Sequence, residues 1–393
     1  RGLGDVYKRQ VSGLRSPVGK AKKGGLRFVR PDDLAATIIK KLVENTEGLE
    51  GKMVDDLIVG NAVPEAEQGM QMARYISLLS LPKEVPGLVI NRYCGSGLEA
   101  IHLACAKINS GSADCVIAGG TESMSMVPMT GYKSALNYNI SQNNPEYYLN
   151  MGLTAEKLAL EYDIKREESD LFSLESHQKA VKAIENKLFN KEIHPIDVED
   201  ITVVEGKRKS NKWTVKEDEG PRKTTTIEAL SSLRPAFKVG GQVTAGNSSQ
   251  MSDGAAFVVV MSGEMIKKLN LQPIARMVSY ATAGVEPSIM GIGPAEAVPK
   301  ALKFAGLKLS DIDQIELNEA FAAQALSVIK ALDFDKEKVN VNGGAVALGH
   351  PLGMTGAKLS IQLINELKRR KQKYGIVTAC VGAVSYTHLR AHE

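Results

Sequence analysis

The chain has 393 residues, 43% of them hydrophobic and 24% charged, which suits an ordinary soluble globular protein of two or three domains. A net charge of +4 is too small to argue for nucleic acid, and no apolar stretch approaches the ~20 residues that cross a bilayer. Four cysteines without a C-x-x-C pair give neither a zinc site nor a disulfide framework and point to a reducing compartment, the cytoplasm. In chain order, Asp32 to Leu42 predicts a helix and Val54 to Asn61 a strand. Leu88 to Ile90 predicts a short strand, the run beyond Cys94 a helix to Ile108, and Asp114 to Ala118 another strand. A long insertion follows, 123–243, with helices at Thr154 to Tyr162 and Glu167 to Leu188, the second with apolar residues at 171, 174, 181, 184 and 188. Lys207 to Lys223 is polar and strand-poor and reads as a loop around Trp213. Beyond it come a strand at Ala255 to Val260, a short helix at Pro299 to Ala305 with Pro299 in its first turn, and a strand at Asp311 to Asn318. Val339 to Asn342 reads as a strand, Gly356 to Lys368 as a helix and Gly375 to Ala379 as a strand. Strands alternating with helices predict parallel α/β layers, and the later elements repeat the earlier ones weakly, so two similar halves are expected to face each other.

The chemistry concentrates in a few segments. Cys94 stands in Asn91-Arg92-Tyr93-Cys94-Gly95-Ser96-Gly97, between a strand and a helix. There it meets the positive end of the helix dipole and free backbone N–H groups, both of which favour a thiolate. His350 is the outstanding one of six histidines, set in the glycine-rich run Gly343 to Gly353 with Pro351 fixing the chain after it. His102, His177 and His194 show no ligand spacing and read as surface or core, while His388 and His392 lie in the tail. Cys380 ends the last strand, and Asn318-Glu319-Ala320-Phe321 ends another. Two cysteines suit a reaction that needs both a nucleophile and a separate acid/base. Cys105 and Cys115 read as core, and Glu319 as structural more than as a general base. Gly291-x-Gly293 lacks the third glycine of a dinucleotide fingerprint.

The Cys94 segment, Asn318 to Ala322, Gly343 to Gly353 and Cys380-Val381-Gly382, in that order, resemble the four signature blocks of the thiolase family, and the resemblance runs from about Val11 to Ala383. It implies a duplicated α/β fold of five layers, α-β-α-β-α, with a loop-domain insertion. The halves would be 11–122 plus 244–262 and 263–384, and 123–243 would be the loop domain that binds coenzyme A. By resemblance, Cys94 is the nucleophile that becomes acylated. His350 activates it and, with a water held by Asn318, stabilises an enolate oxygen. Cys380 is the acid/base, and the N–H groups of Cys94 and Gly382 form a second oxyanion hole. Ser249, in Gly241 to Ser249, resembles a pantetheine contact, Arg222 an arginine reaching the nucleotide end, and Met151 a methionine lining the acyl channel.

Acetoacetyl-CoA-specific relatives tend to carry histidine where this chain has Asn150, and together with Glu286 to Pro294 this suits the degradative branch. The implied activity is thiolytic cleavage of 3-ketoacyl-CoA by coenzyme A to acetyl-CoA and a shortened acyl-CoA. Coenzyme A is a co-substrate and no metal or other cofactor is required. The resemblance also implies a homodimer or homotetramer and raises a multifunctional β-oxidation partner. The rivals are a biosynthetic acetoacetyl-CoA thiolase, a decarboxylating condensing enzyme, against which Cys380 argues, and a non-catalytic lipid carrier. The ends, 1–10 and 385–393, read as foreign sequence in place of native ends, because neither has the character of the strand expected there. Sequencing the source gene across both junctions tests this.

Overall fold

The computed structural model describes residues 9–382 and, in addition, the strand backbone at 385–386 and 389–391; the remaining terminal residues, with His388 and His392, lie outside the description. The first half is built from β1 (Arg9–Arg15), α1 (Pro31–Glu44), β2 (Asp56–Gly60), α2 (Met72–Ser80), β3 (Gly87–Ile90), α3 (Ser96–Asn109) and β4 (Cys115–Ser123). The insertion carries α4 (Met151–Glu161), α5 (Arg166–Glu185), β5 (Ile196–Val204) and β6 (Lys207–Val215). β7 (Ser252–Met261) returns to the first half, and β8 (Ala275–Arg276), α6 (Gly293–Ala305), β9 (Gln314–Leu317), α7 (Ala322–Leu332), α8 (Leu352–Arg370), β10 (Tyr374–Thr378) and β11 (Leu389–Ala391) make the second. Helix ends follow charge and backbone preference. α1 opens on Pro31 with Asp32 and Asp33 in its first turn, and α8 closes with Lys368, Arg369 and Arg370 in its last.

The strands run in the order β9-β10-β11-β8-β1-β7-β4-β2-β3. β2 is parallel to β3 and β4, and β9 to β10, while β7 lies antiparallel to β1 and β4. The two half-sheets meet edge to edge where Gln10 pairs with Ala275. Alternation along β2 separates two cores: Leu57 and Val59 pack with α1 and α2, and Ile58 packs with α3 and α8. α8 touches strands of both halves, and Leu359 and Leu363 share one core with Val258 and Val377. α6 and α7 cover the far side of β9 and β10 through Val298, Val328 and Ile329. The layers are therefore α-β-α-β-α, with α3 and α8 in the middle.

Several expectations change. Lys207 to Val215 is not loop but one strand of a hairpin, turned by Glu205 and Gly206 at φ 52° and 73°. Its side chains are mostly exposed, so no apolar alternation marks it in the sequence. Val339 makes only an isolated bridge to Ile315, because the chain turns at once into the glycine loop. Pro299 lies inside α6, not in its first turn; Pro294 takes that position and the helix starts earlier. In α5 the apolar residues are not the buried face: Leu171 is exposed, and Ser169, Ser173, Ser176, His177, Ala180 and Ala183 are buried. Small residues are needed there because the Gly343 backbone packs directly on Ser176 and Ala180. β1 already begins at Arg9, so Arg9 and Gln10 do pair, although the Gln10 amide is buried without a partner among the described residues. The backbone of Leu389–Ala391 sits between β10 and β8, so the second half-sheet continues past 384.

Candidate active site

The ends of β3, β9 and β10 and the glycine-rich loop before α8 converge at one place. Between β3 and α3 the chain makes a tight turn, and Tyr93 is forced to φ 42°, a strained value for a residue with a large side chain. Side chains hold that turn. Asn91 Oδ1 accepts from Tyr93 N at 2.8 Å, Ser96 Oγ donates to Tyr93 O at 2.6 Å, and Asn91 Nδ2 donates to Ala62 O at 2.9 Å. The turn thrusts Cys94 forward, the geometry of a nucleophile elbow. The sequence marks the cysteine but carries no sign of the strained tyrosine before it.

His350 sits before α8. Gly349, at φ 93°, makes the approach that a side chain would obstruct, and His350 N donates to Gln250 O at 3.1 Å. Thr355 Oγ1 donates to Pro351 O at 2.8 Å, so its hydroxyl accepts from His350 Nδ1 at 2.6 Å. That fixes the proton on Nδ1 and leaves Nε2 as the free base, 3.3 Å from Asn318 Nδ2. Asn318 is fully buried, and its Oδ1 has no partner among the described residues. Burial, with the charge of Lys358 added, lowers the His350 pKa to about 3, so the imidazole is neutral.

Cys380 lies just past β10, almost fully buried. Cys94, His350 and Cys380 line one cavity of about 470 Å³. Burial raises both thiols: it pushes Cys94 up to about 12, with a backbone hydrogen bond pulling the other way, and it pushes Cys380 well above the ordinary thiol value. Burial thus opposes the thiolate that the helix end favours, and the neutral imidazole of His350 lines the same cavity.

Glu122, which the sequence did not single out, braces this wall. Its buried carboxylate accepts from Ala62 N and Gly353 N, each at 2.8 Å, and from Gln68 Nε2 at 2.8 Å. Burial raises its pKa. Glu319 likewise faces inward, accepting from Ser176 Oγ, Asn340 Nδ2 and Val346 N, and so ties the glycine loop to α5. Cys105 and Cys115 are buried in the core.

The other wall comes largely from the insertion. Met151 and Ser249 line the cavity, with Met129, Leu158, Phe237, Met290 and Phe321. Asn150 caps α4, its Oδ1 accepting from Leu153 N at 2.9 Å. Arg222 is exposed and does not line the cavity; its N–H donates to His177 Nδ1 at 3.2 Å. Gly382 does not line it either, and stands against the Tyr93 ring, where a Cβ would come within 3.7 Å. Among the described residues no cluster of His, Cys, Asp or Glu could hold a metal ion.

The models for the thiolase N-terminal and C-terminal domains match residues 10–264 and 271–388. The chain is 54% identical over 374 residues, 95% of each chain, to a 3-ketoacyl-CoA thiolase of Bacillus subtilis (strain 168). It is similar to the crystal structure of the Bacillus anthracis acetyl-CoA acetyltransferase at TM-score 0.89 and 40% identity, covering 100% of both chains. It is also similar to human mitochondrial 3-ketoacyl-CoA thiolase solved in complex with CoA, at TM-score 0.87 and 39% identity, covering 99% of this chain and 98% of that one. Family models that span nearly the whole chain, and relatives alike from end to end, establish that this chain belongs to the thiolase family.

Proposed function

We propose that the protein is a degradative acyltransferase that cleaves 3-ketoacyl-CoA with coenzyme A, giving acetyl-CoA and an acyl-CoA two carbons shorter. The observation that carries this is the convergence of Cys94, His350 and Cys380, from both halves, on one cavity. His350 Nε2 takes the Cys94 proton, and the thiolate adds to the 3-keto carbon. The C2–C3 bond breaks, its electrons pass to the acetyl-CoA enolate, and Cys380 protonates that enolate at C2. The Cys380 thiolate then takes the proton of incoming coenzyme A, whose sulfur displaces Cys94 from the thioester. Cys94 leaves as a thiolate and recovers its proton from His350. In this reading Asn318 holds the water beside the enolate oxygen, which suits its unpartnered buried Oδ1, and the N–H of Cys94 serves the oxyanion at the ketone carbon, with that of Gly382 joining it only by family resemblance. Thiols, imidazole and hydrogen-bond donors supply every step, so coenzyme A serves as co-substrate and no metal or redox group is required.

In the same reading, 123–243 is the domain that holds coenzyme A, through Met151 and Arg222, with Ser249 beside it. The protein is a cytoplasmic homo-oligomer. Free thiols throughout favour a reducing compartment. Self-association is favoured by the apolar edge where Leu88 of β3 and Tyr75, Leu78 and Leu79 of α2 are exposed side by side. No helix among the described residues is long and apolar enough to cross a membrane. The partner that the family resemblance implies is a multifunctional β-oxidation protein.

The test is coenzyme-A-dependent loss of a medium-chain 3-ketoacyl-CoA. Loss that disappears in Cys94→Ala is the expected result. Cleavage of acetoacetyl-CoA alone would move the protein to the biosynthetic branch, and cleavage of neither would favour a non-catalytic carrier.

A further inference from the structure

The segment 216–222 leads to Arg222 and belongs to no helix or strand. Its path is set by two adjacent carboxylates instead. Asp218 is buried and grips Arg15 with both oxygens, at 2.7 and 2.9 Å, while Oδ1 also accepts from Val18 N at 2.8 Å. Glu219 accepts from Lys20 N at 2.9 Å and Gly25 N at 2.8 Å, and its own N–H donates to Val18 O at 3.0 Å. Asp218 and Glu219 thus clamp the segment onto residues 15–25. The next residue, Gly220, is pressed on the catalytic wall: a Cβ there would lie 2.1 Å from Ala347 O. Gly220 O accepts from Gln250 Nε2 at 3.2 Å, and Gln250 lines the cavity and accepts from His350 N. Arg222 follows, its backbone on His177.

We propose that Asp218 and Glu219 are positioning residues for coenzyme A: they set where Arg222 stands, two residues beyond the Gly220 carbonyl that meets Gln250 of the cavity wall. This rests on the reading that Arg222 meets the phosphates of the co-substrate. A segment without ladder hydrogen bonds would otherwise wander, and the cost of ordering it would fall on each binding event. The same guanidinium supplies an internal control. Arg15 Nε also binds Glu192 at 2.8 Å, and Glu192 holds Asn365, not the Arg222 segment.

The experiment is steady-state thiolysis with coenzyme A varied, on the full-length protein and on Glu219→Gln, Arg222→Ala, the double variant and Glu192→Gln, with thermal melts alongside. A glutamine at 219 presents one amide nitrogen to a backbone N–H, donor against donor, and releases one side of the clamp. Arg222→Ala is expected to raise KM for coenzyme A about tenfold, and Glu219→Gln about fivefold, with kcat kept within about twofold. The double variant should match Arg222→Ala, because a misplaced arginine and an absent one lose the same contact. Glu192→Gln should lower the melting temperature and leave that KM unchanged. If Arg222→Ala raises KM and Glu219→Gln does not, or if the two effects multiply, the positioning role is overturned. If Arg222→Ala leaves KM unchanged while turnover persists, the arginine reading falls, and the positioning role with it, while the thiolase reading stands.

Discussion

The two walls of the cavity are built on different principles. On the strand-end wall the turn that carries Cys94 and the ring of His350 are pinned. Tyr93 is held strained by Asn91 and Ser96, His350 is fixed through Thr355 and Asn318, and Glu122 braces the loops beside them. On the insertion wall, Met129, Met151, Leu158 and Phe237 offer flexible thioethers, an aliphatic side chain and a ring face. In the proposed mechanism the pinned wall keeps a nucleophile, a base and an acid in one geometry, as bond making requires. The soft wall can adapt to a long pantetheine arm and to acyl chains. Changes to the first wall should therefore appear in kcat, and changes to the second in KM and chain preference.

The largest break in this contrast is Cys94→Ala, which should lower kcat by about 10⁴-fold or more while coenzyme A still binds, measured by thiolysis and by calorimetric titration. Next is the pH dependence of Cys94 itself. Its thiol is pushed up to about 12, so the thiolate fraction grows with every unit of pH. Iodoacetamide labelling of Cys94 should climb about a hundredfold from pH 7 to pH 9 without levelling. A plateau below pH 8 would mean that the helix end wins over burial after all. Thr355→Val comes third. It leaves the volume of the site but strips the acceptor from His350 Nδ1, freeing the wrong tautomer, and kcat should fall about tenfold with KM nearly constant. Smallest is Met151→Ala on the soft wall, which should change kcat/KM by less than about tenfold and redistribute it among acyl chain lengths. An equal loss for every chain length would place Met151 away from the acyl group.

The sequence carried the chemistry better than its support. Cys94, His350, Cys380 and Asn318 were legible because they stand in the four segments that resemble the thiolase signature blocks, three of them just past strands and His350 in a glycine-rich loop before α8. Thr355 and Glu122 were not, since a threonine in a helix and a glutamate ending a strand look ordinary until the fold brings them to His350 and Gly353. The strand at 207–215 was missed because it is largely exposed, so burial imposes no alternation on it. The buried face of α5 was missed for the opposite reason. Close backbone packing selects serine and alanine there, which a search for apolar periodicity passes over. Local charge placement at Cys94 was visible in the sequence, whereas the desolvation that opposes it depends on the assembled cavity.

In the proposed mechanism the substrate's acyl group passes through Cys94. The most direct measurement is acid quenching of the protein with a 3-ketoacyl-CoA and no free coenzyme A, followed by peptide mass mapping. An acyl adduct is expected on the peptide containing Cys94, absent in Cys94→Ala and discharged when coenzyme A is added before the quench. An adduct on Cys380, or turnover with no adduct on either cysteine, would contradict it.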